Sequence, residues 1–229
     1  MTTLATATPT WVDGPPTVRD RVVVLAPHPD DEVLGAGALL RWLHGEGVPT
    51  TVVAVTDGEA SHARSAVISP AALRRVRAEE RDAALSALGV APALVRLGLP
   101  DGAVTAHRAA LTEAIGGLVD VRTTVVAPWR VDGHPDHDAV GHAAAIAADH
   151  RGASLWEVAI WAKVRRPIAA AIGARHLVPD AASDTAKRAA AACFRTQVRP
   201  LGPAEEDGPV VHPHELAALL DGPELVRAG

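Results

Sequence analysis

Short β-branched runs alternate with longer helical segments along most of the chain, and this alternation constrains the fold more than any other feature. The first four runs are apolar on both faces, as expected of parallel strands that helices cover on each side. We therefore predict a doubly wound α/β fold, with a mainly parallel sheet of five or six strands and helices on both faces. The candidate strands are 22–26, 51–56, 94–97, 123–128, 155–162 and a possible sixth at 176–178, and the candidate helices are 32–46, 70–88, 104–119, 138–150 and 184–195.

Length and composition favour a single large domain. The chain has 229 residues, 48% of them hydrophobic, and it contains no long linker, so one substantial core is expected. We predict an N-terminal extension at 1–18, a single α/β domain at 19–198, and a Pro- and Gly-rich tail at 199–229 with a short helix near 214–220.

Charge and hydropathy exclude two classes of partner. A net charge of -5 argues against nucleic acid, because a phosphate-binding surface needs a basic excess. No stretch reaches the ~20 apolar residues that a membrane helix needs, and no basic segment leads into an apolar one at the N-terminus. We expect a cytoplasmic protein that acts on a small molecule, and the sequence carries no signal for its oligomeric state.

Two loops rich in histidine and acid follow the first and fourth predicted strands. The first reads LAPHPDDEVLG at 25–35, and the second reads APWRVDGHPDHD at 127–138. In the common strand order 3-2-1-4-5, strands 1 and 4 are neighbours where the order reverses, and ligands bind beyond the carboxyl ends of the strands there. Two loops about a hundred residues apart are therefore predicted to meet over one crevice.

These loops contain the ligands of a catalytic zinc site. Such a site has three protein ligands from His and Asp or Glu, with water in the open position. We predict His28, Asp31 and His137 as the ligands. The cation would offset the repulsion among the three consecutive acids at 30–32, and it would lower the pKa of its bound water to about 7.

The remaining polar residues of the loops suit acid–base chemistry. With Asp31 assigned to the metal, Asp30 is free to act as the general base on the bound water. His134 can stabilise the developing oxyanion or protonate a leaving amine, and Asp136 can orient an imidazole in its own loop. Attack of zinc-bound water on a carbonyl is the reaction that this set predicts.

Simpler interpretations exist for each loop alone. The acids before VLGAGALL can cap a helix, and HPDH can be a polar turn; their co-occurrence after strands 1 and 4 favours the metal site. GAGALL is not a dinucleotide fingerprint, because its glycines fall within the predicted helix and Leu40 stands in the third glycine position. Two His and one carboxylate also describe non-haem iron oxygenases, so Fe²⁺ and an oxygenase remain an alternative, as does a non-catalytic metal-binding protein.

The motifs together resemble those of the PIG-L or LmbE-like zinc-dependent de-N-acetylases of N-acetylglucosamine-type sugars. They are APHPDDE, DGHPDHDAVG, VTDGE at 55–59, RAEERDAALSALGV at 77–90, LGLPDG at 97–102 and KRAAAACFRTQ at 187–197. The resemblance implies a Rossmann-like fold, zinc held by the three ligands above, and removal of an acetyl or other acyl group from an N-acylated amino sugar or sugar conjugate. It assigns the base to Asp30 and charge stabilisation to His134.

The same resemblance suggests that Glu59, Arg77 and Asp101 contact the sugar. Arg77 can instead pair with Glu80 across a helix turn, and Asp101 can be a turn residue. Arg130 is a further candidate contact, because the loops at 59–72 and 129–133 are placed to set specificity. Some family members have a tyrosine just before HPDH, but this chain contains no tyrosine, so His134 or water has to take that role.

Overall fold

The computed structural model describes residues 8–228, apart from the side chain of Ile168, and these residues build one eight-stranded sheet. Its order is β1-β7-β8-β6-β5-β2-β3-β4, so the five parallel strands follow the predicted order 3-2-1-4-5. The doubly wound, mainly parallel α/β fold is confirmed, with eight strands rather than five or six. The strands are β1 (Thr10–Trp11), β2 (Arg21–Ala26), β3 (Thr50–Thr56), β4 (Ala93–Leu99), β5 (Thr123–Pro128), β6 (Ser154–Val158), β7 (Arg175–Val178) and β8 (Glu224–Ala228).

Helices cover both faces of the sheet because its central strands are apolar on both sides. Val22 and Val24 of β2 pack into one core with Leu39 and Leu43, whereas Val23 of the same strand packs into a second core with helices of the other face. The helices are α1 (Asp31–Leu34), α2 (Gly37–Gly45), α3 (Pro70–Leu88), α4 (Arg108–Gly116), α5 (Pro135–Arg151), α6 (Trp161–Arg165), α7 (Pro167–Ala171), α8 (Ala181–Ala191), α9 (Arg195–Val198) and α10 (Pro213–Leu220), with 3₁₀ turns at Val104–His107 and Glu205–Asp207.

Segments from both ends of the chain contribute strands to the sheet. β8, from the segment that the sequence suggests is a tail, lies between β6 and β7 and runs antiparallel to both. β1, from the predicted N-terminal extension, pairs with β7, and its Trp11 ring stacks edge-on against Trp42 and Trp156. Residues 1–7 of that extension and residue 229 lie outside the described part. Among the described helices, none is long and apolar enough to cross a bilayer.

The single helix predicted at 32–46 is wrong in one respect, because the helix is interrupted between α1 and α2. Gly35 lies against the Ile160 side chain, and a Cβ at this position would come within 2.6 Å of Ile160 Cδ1. The second helix then begins where the Glu224 carboxylate accepts hydrogen bonds from the backbone N–H groups of Ala38 (2.7 Å) and Leu39 (2.9 Å). A distant carboxylate therefore caps α2, which local sequence does not reveal.

The strand predicted at 155–162 is also too long, since β6 ends at Val158. The Asp132 carboxylate accepts hydrogen bonds from the backbone N–H groups of residues 160–162, at 2.9 to 3.0 Å. These bonds turn the chain away from the sheet and start α6. The apolar pattern of the segment reflects burial in the core rather than strand pairing.

Candidate active site

The two histidine-rich loops meet at the reversal of strand order. β2 and β5 pair in parallel, with Val24 opposite Val126, so their carboxyl ends lie side by side. His28 follows β2 by two residues, and His137 lies in the first turn of α5, which begins soon after β5. The predicted meeting of the loops over one crevice is thus what the topology produces.

The three predicted metal ligands lie together at this point. Asp31 Oδ2 is 3.2 Å from His28 Nδ1 and 3.2 Å from His137 Nε2, and the ligand atoms of all three residues lie within 4.8 Å of one another. Asp31 and His137 are buried, and His28 is largely so. Two imidazole nitrogens and one carboxylate oxygen therefore converge, as a three-ligand metal site requires.

Asp132, which the sequence analysis did not single out, determines the tautomer of His137. Its carboxylate is fully buried and lies 2.9 Å from His137 Nδ1, while three backbone N–H groups donate to the same carboxylate. In the neutral imidazole, an anionic acceptor at this position places the hydrogen on Nδ1 and leaves the lone pair on Nε2. That Nε2 is buried and has no hydrogen-bond partner among the described residues.

Asp136 and Asp101 act on His28 in a similar way. His28 Nε2 is 3.2 Å from Asp136 Oδ2 and 3.2 Å from Asp101 Oδ1, which leaves Nδ1 to face Asp31. Burial alone lowers the pKa of His28, but the hydrogen bonds to Asp101 and Asp136 outweigh it and raise the pKa well above its ordinary value. The Asp136 side chain thus orients an imidazole of the opposite loop rather than one in its own.

The electrostatics of the cluster require a positive charge. Burial lowers the pKa of His137, yet the negative charge of Asp31 and the hydrogen bond to Asp132 outweigh burial and raise it to about 9. Burial raises the pKa of Asp31, and the charge of His137 outweighs this and holds it well below its ordinary value. Without a cation the carboxylates are balanced by protons on the imidazoles, and a divalent ion can supply the same charge.

A second group of potential ligands overlaps the first but is less suited to a metal. His28, His134 and Asp136 also offer atoms within 4.8 Å of one another. However, both Asp136 oxygens already accept backbone N–H groups, from Gly102 at 2.8 Å and Val104 at 3.1 Å, and His134 Nδ1 accepts the Asp136 N–H. The group of His28, Asp31 and His137, with its unpartnered nitrogen, fits a metal better.

Asp30, the predicted general base, has a strained backbone beside the ligand cluster. Its φ of 153° and ψ of -29° are unusual for a residue with a side chain, and such conformations cost about 1–3 kcal/mol. The backbone N–H of Asp30 donates to Glu32 Oε2 at 3.2 Å, and the backbone carbonyl of Asp30 accepts the N–H groups of Val33 and Leu34. Burial raises the pKa of the Asp30 carboxyl to about 7, although the charge of Arg77 opposes this.

Arg77 holds the first loop in place. The resemblance suggested a sugar contact, and Arg77 is among the residues that line the cavity. Its side chain is only 2% exposed and donates to Pro29 O at 2.8 Å and to Gly58 O at 3.0 Å. The same guanidinium lies 3.2 Å from Asp30 Oδ2. Gly58 has a φ of 70°, and a Cβ there would collide with the guanidinium, so the glycine is required for this approach. Arg77 does not pair with Glu80, whose carboxylate instead accepts hydrogen bonds from Thr196.

His134 caps the N-terminus of α5 and faces the imidazoles of His28 and His137. Its ring centroid is 5.0 Å from that of His28 and 4.9 Å from that of His137. Because His134 Nδ1 accepts the Asp136 N–H, its hydrogen lies on Nε2. Burial lowers the pKa of His134 to about 4, and the neighbouring imidazoles add to this effect. The neutral ring can donate a hydrogen bond from Nε2, but it is a poor source of a proton for a leaving amine.

The other predicted substrate contacts differ in their positions. Asp101 lies on the cavity wall, where its Oδ2 accepts the Ala60 N–H at 2.8 Å. Glu59 is paired with Arg74 at 3.1 Å and is not among the residues that line the cavity. Two further residues, Arg130 and Glu157, form a two-point ion pair away from the cavity, with N–O distances of 2.9 and 3.0 Å. Of Asp101, Glu59 and Arg130, only Asp101 lines the cavity.

A cavity of about 230 Å³ opens beside the cluster, and polar and apolar side chains line it together. His28, Asp30, Asp31 and His134 are among its lining residues, as are Asp101, Ser61 and Gln197. Its apolar lining comes from α1, the segment after β6 and the C-terminal part of the chain, and consists of Leu34, Ile160, Trp161, Val210, Val211 and Leu219. Polar and apolar lining residues adjoin, since the backbone N–H of Val211 donates to the Gln197 carbonyl at 3.0 Å. The apolar lining comes from separate segments without a shared motif, so the sequence does not reveal it.

The chain is similar to a known protein family. The PIG-L family, described as GlcNAc-PI de-N-acetylase, matches residues 23–148, more than half of the chain. A 1D-myo-inositol 2-acetamido-2-deoxy-alpha-D-glucopyranoside deacetylase of Streptomyces avermitilis is 32% identical over 190 residues, covering 65% of this chain and 63% of the relative. The chain spans about three fifths of the length of the curated relatives that it matches.

Solved structures show the same fold. An antimicrobial A40926 pseudoaglycone deacetylase has a TM-score of 0.65 and 25% identity, covering 91% of this chain and 96% of that one. A zinc-inhibited form of teicoplanin deacetylase has a TM-score of 0.65 and 20% identity, covering 91% and 97%. Both loops of the candidate site fall within the matched residues 23–148, and the chain belongs to the PIG-L family of de-N-acetylases.

Proposed function

We propose that this protein is a zinc-dependent amide hydrolase that removes an acetyl or other acyl group from an N-acylated amino sugar or sugar conjugate. The observation that carries the proposal is the contact of His28 Nδ1, Asp31 Oδ2 and His137 Nε2 beside the buried carboxylate of Asp30 on a cavity wall. Membership of the PIG-L family and the deacetylase activities named for its relatives support the same reaction.

Zinc suits the donor set. Two imidazoles and one carboxylate with an open position are typical of catalytic zinc, and His28, Asp31 and His137 would hold it. When bound, zinc supplies Lewis acidity and a water whose pKa is lowered to about 7. Iron(II) uses a similar ligand set in oxygenases, but the family relationship supports hydrolysis over oxidation.

The residues of the chain have separate roles in amide hydrolysis. Asp30 accepts a proton from the attacking water, and its pKa, raised to about 7, makes its carboxylate a stronger base than that of an ordinary aspartate. His134 donates its Nε2–H to the oxygen of the former carbonyl as negative charge develops there. When the C–N bond breaks, Asp30 passes the proton to the amine nitrogen, because neutral His134 is the weaker proton source. The products are a carboxylic acid and a primary amine, which ionise to a carboxylate and an ammonium group.

Release of primary amine tests the proposal directly. The purified protein is incubated with N-acetylglucosamine, its glycosides and N-acylated conjugates, with one equivalent of zinc or with a chelator, and amine is measured with fluorescamine. We expect equal amounts of amine and carboxylate in zinc and none with chelator. If the folded, zinc-loaded protein releases no amine from any substrate, the proposal is wrong. Oxygen consumption with iron(II) and an oxoacid would instead support the oxygenase.

A further inference from the structure

A chain of hydrogen bonds links the loop after β3 to α9 beside the active-site cavity. Gln197 Nε2 donates to Ser61 Oγ at 3.3 Å and to Thr196 Oγ1 at 2.9 Å, so both hydrogens of its side-chain amide have acceptors. Ser61 and Gln197 line the cavity, and Gln197 is only 1% exposed. Contacts within the protein therefore hold the nitrogen of a buried, cavity-lining amide.

Glu80 fixes the direction in which this amide faces. Thr196 Oγ1 donates to Glu80 Oε2 at 2.6 Å, and the backbone N–H of Thr196 donates to Glu80 Oε1 at 2.9 Å. A carboxylate only accepts, so the hydroxyl hydrogen of Thr196 points to Glu80 and a lone pair faces the amide. An amide turned by half a rotation would set its oxygen against that lone pair. The nitrogen of the Gln197 side chain therefore lies beside Thr196, and Oε1 points away from it.

His62 takes the hydroxyl hydrogen of Ser61. His62 is buried, and its Nε2 lies 3.1 Å from the Gly208 carbonyl oxygen, which only accepts. In the neutral ring Nε2 thus carries the hydrogen, and Nδ1 accepts from Ser61 Oγ at 3.2 Å. The side-chain hydrogens of Ser61 and Gln197 that can form hydrogen bonds are all used within the protein. To a ligand, these two side chains offer lone pairs only.

The oxygen of the Gln197 amide is the unsatisfied atom of this chain. Gln197 Oε1 is buried and accepts no hydrogen bond within the part of the molecule that the structure describes. Because buried polar atoms in native proteins nearly always have a partner, a ligand is the expected source of the missing donor. On the basis of the proposed function, we propose that Gln197 is a specificity-determining residue whose Oε1 accepts a hydrogen bond from a hydroxyl group of the amino sugar. Thr196 and Glu80 are positioning residues that hold the amide for this contact.

An N-acylated amino sugar has two kinds of donor, the amide N–H and the sugar hydroxyls. The amide N–H belongs to the scissile group, which has to lie at the ligand cluster to be attacked. Within the described residues, the hydrogen bonds of the Gln197 side chain go to Ser61 and Thr196 and none goes to that cluster. A hydroxyl group, which lies further from the reacting carbon, is therefore the donor that suits Oε1.

Deoxy analogues of the substrate test the inference. We would measure kcat/KM by amine release for N-acetylglucosamine and its 3-, 4- and 6-deoxy analogues, with the zinc-loaded wild type and with Gln197→Met. In the wild type at least one analogue should lose about tenfold or more, because loss of its hydroxyl leaves Oε1 unsatisfied. In Gln197→Met that loss should shrink to about threefold or less, since the amide oxygen is gone.

Two results would overturn the inference while amine release still supports the proposed function. One is that no analogue is a poorer substrate of the wild type. The other is that every analogue loses as much in Gln197→Met as in the wild type. If the wild type releases no amine from any N-acylated substrate, the proposed function is wrong and the inference falls with it.

The positioning role has its own variants. Thr196→Val removes the hydroxyl that fixes the amide, so it should lower the discrimination against the poorest analogue about fivefold or more, and Thr196→Ser should restore it. Thr123 is the matched control, because its buried hydroxyl donates to the Asp120 carboxylate and accepts the Asp120 N–H, both at 3.1 Å, on β5 and not among the cavity-lining residues. Thr123→Val should lose stability and keep the discrimination. Wild-type discrimination in Thr196→Val, or an equal loss in Thr123→Val, would contradict the inference.

Discussion

Replacing Asp132 with asparagine should weaken metal binding through the tautomer of His137. Four N–H donors surround the Asp132 carboxylate: three from the backbone of residues 160–162 and one from His137 Nδ1. An asparagine has one acceptor oxygen and one NH₂ group, so the NH₂ group must face two of these donors. If it faces His137, Nδ1 becomes the acceptor and Nε2 carries the hydrogen, which removes the lone pair from the metal site.

The magnitude follows from the number of unsatisfied groups. Loss of an outer partner of a ligating histidine weakens metal affinity by about 10- to 100-fold. When the NH₂ group faces His137, the Trp161 N–H loses its acceptor, and one buried donor without an acceptor costs about 1–3 kcal/mol of folding free energy. For a chain of this length that corresponds to a fall of about 2–12 °C in Tm.

Competition with a chromophoric chelator measures the metal Kd, and circular dichroism measures Tm with and without zinc. Asp180→Asn is the matched control, because the Asp180 carboxylate also accepts backbone N–H groups, from Ala182 at 2.8 Å and Ser183 at 3.1 Å, but contacts no histidine. The control should lose some stability and keep its metal affinity. Wild-type metal affinity in Asp132→Asn would refute the role assigned to this carboxylate.

Three further outcomes are expected. Asp30→Asn should lower turnover at least about 100-fold and change the metal Kd less than about threefold, measured by amine release and chelator competition; near-normal turnover would remove Asp30 from the base role. kcat/KM should rise with pH through a limb at or below about pH 7, because Asp30 acts in its deprotonated form. Burial raises the pKa of Asp30 to about 7, and a bound cation lowers that value. His134→Ala should keep this limb, and loss of the limb in that variant would contradict the assignment to Asp30. Lys187→Met should cost about 3–5 kcal/mol in chemical denaturation, because it leaves Glu224 buried without its partner at 2.7 Å; adding Glu224→Gln should recover part of the loss, and no recovery would argue against the ion pair as the cause.

Contacts from two other residues fix the backbone of Asp30 in the first loop. The strained backbone of Asp30 is maintained by Glu32 on one side and by Arg77 on the other. Arg77 reaches Pro29 only because Gly58 has no side chain. Arg77 therefore connects the loops after β2 and β3. Its charge also limits the rise of the Asp30 pKa.

The sequence by itself determined the features that depend on local pattern and chain order. Short apolar, β-branched runs specify strands. A parallel doubly wound sheet then brings the ends of its first and fourth strands together. This is enough to place His28, Asp31 and His137 in one cluster, with Asp30 beside them. The motifs at these strand ends also indicate the family relationship.

The tertiary structure alone decided the features that depend on contacts between distant segments. Asp132 stops β6 early and orients His137, and Glu224 caps α2 from β8 at the other end of the chain. The apolar lining of the cavity likewise brings α1 together with Val210 and Leu219. Such contacts have no local periodicity, since buried carboxylates and apolar side chains find their partners only when the sheet brings the segments together.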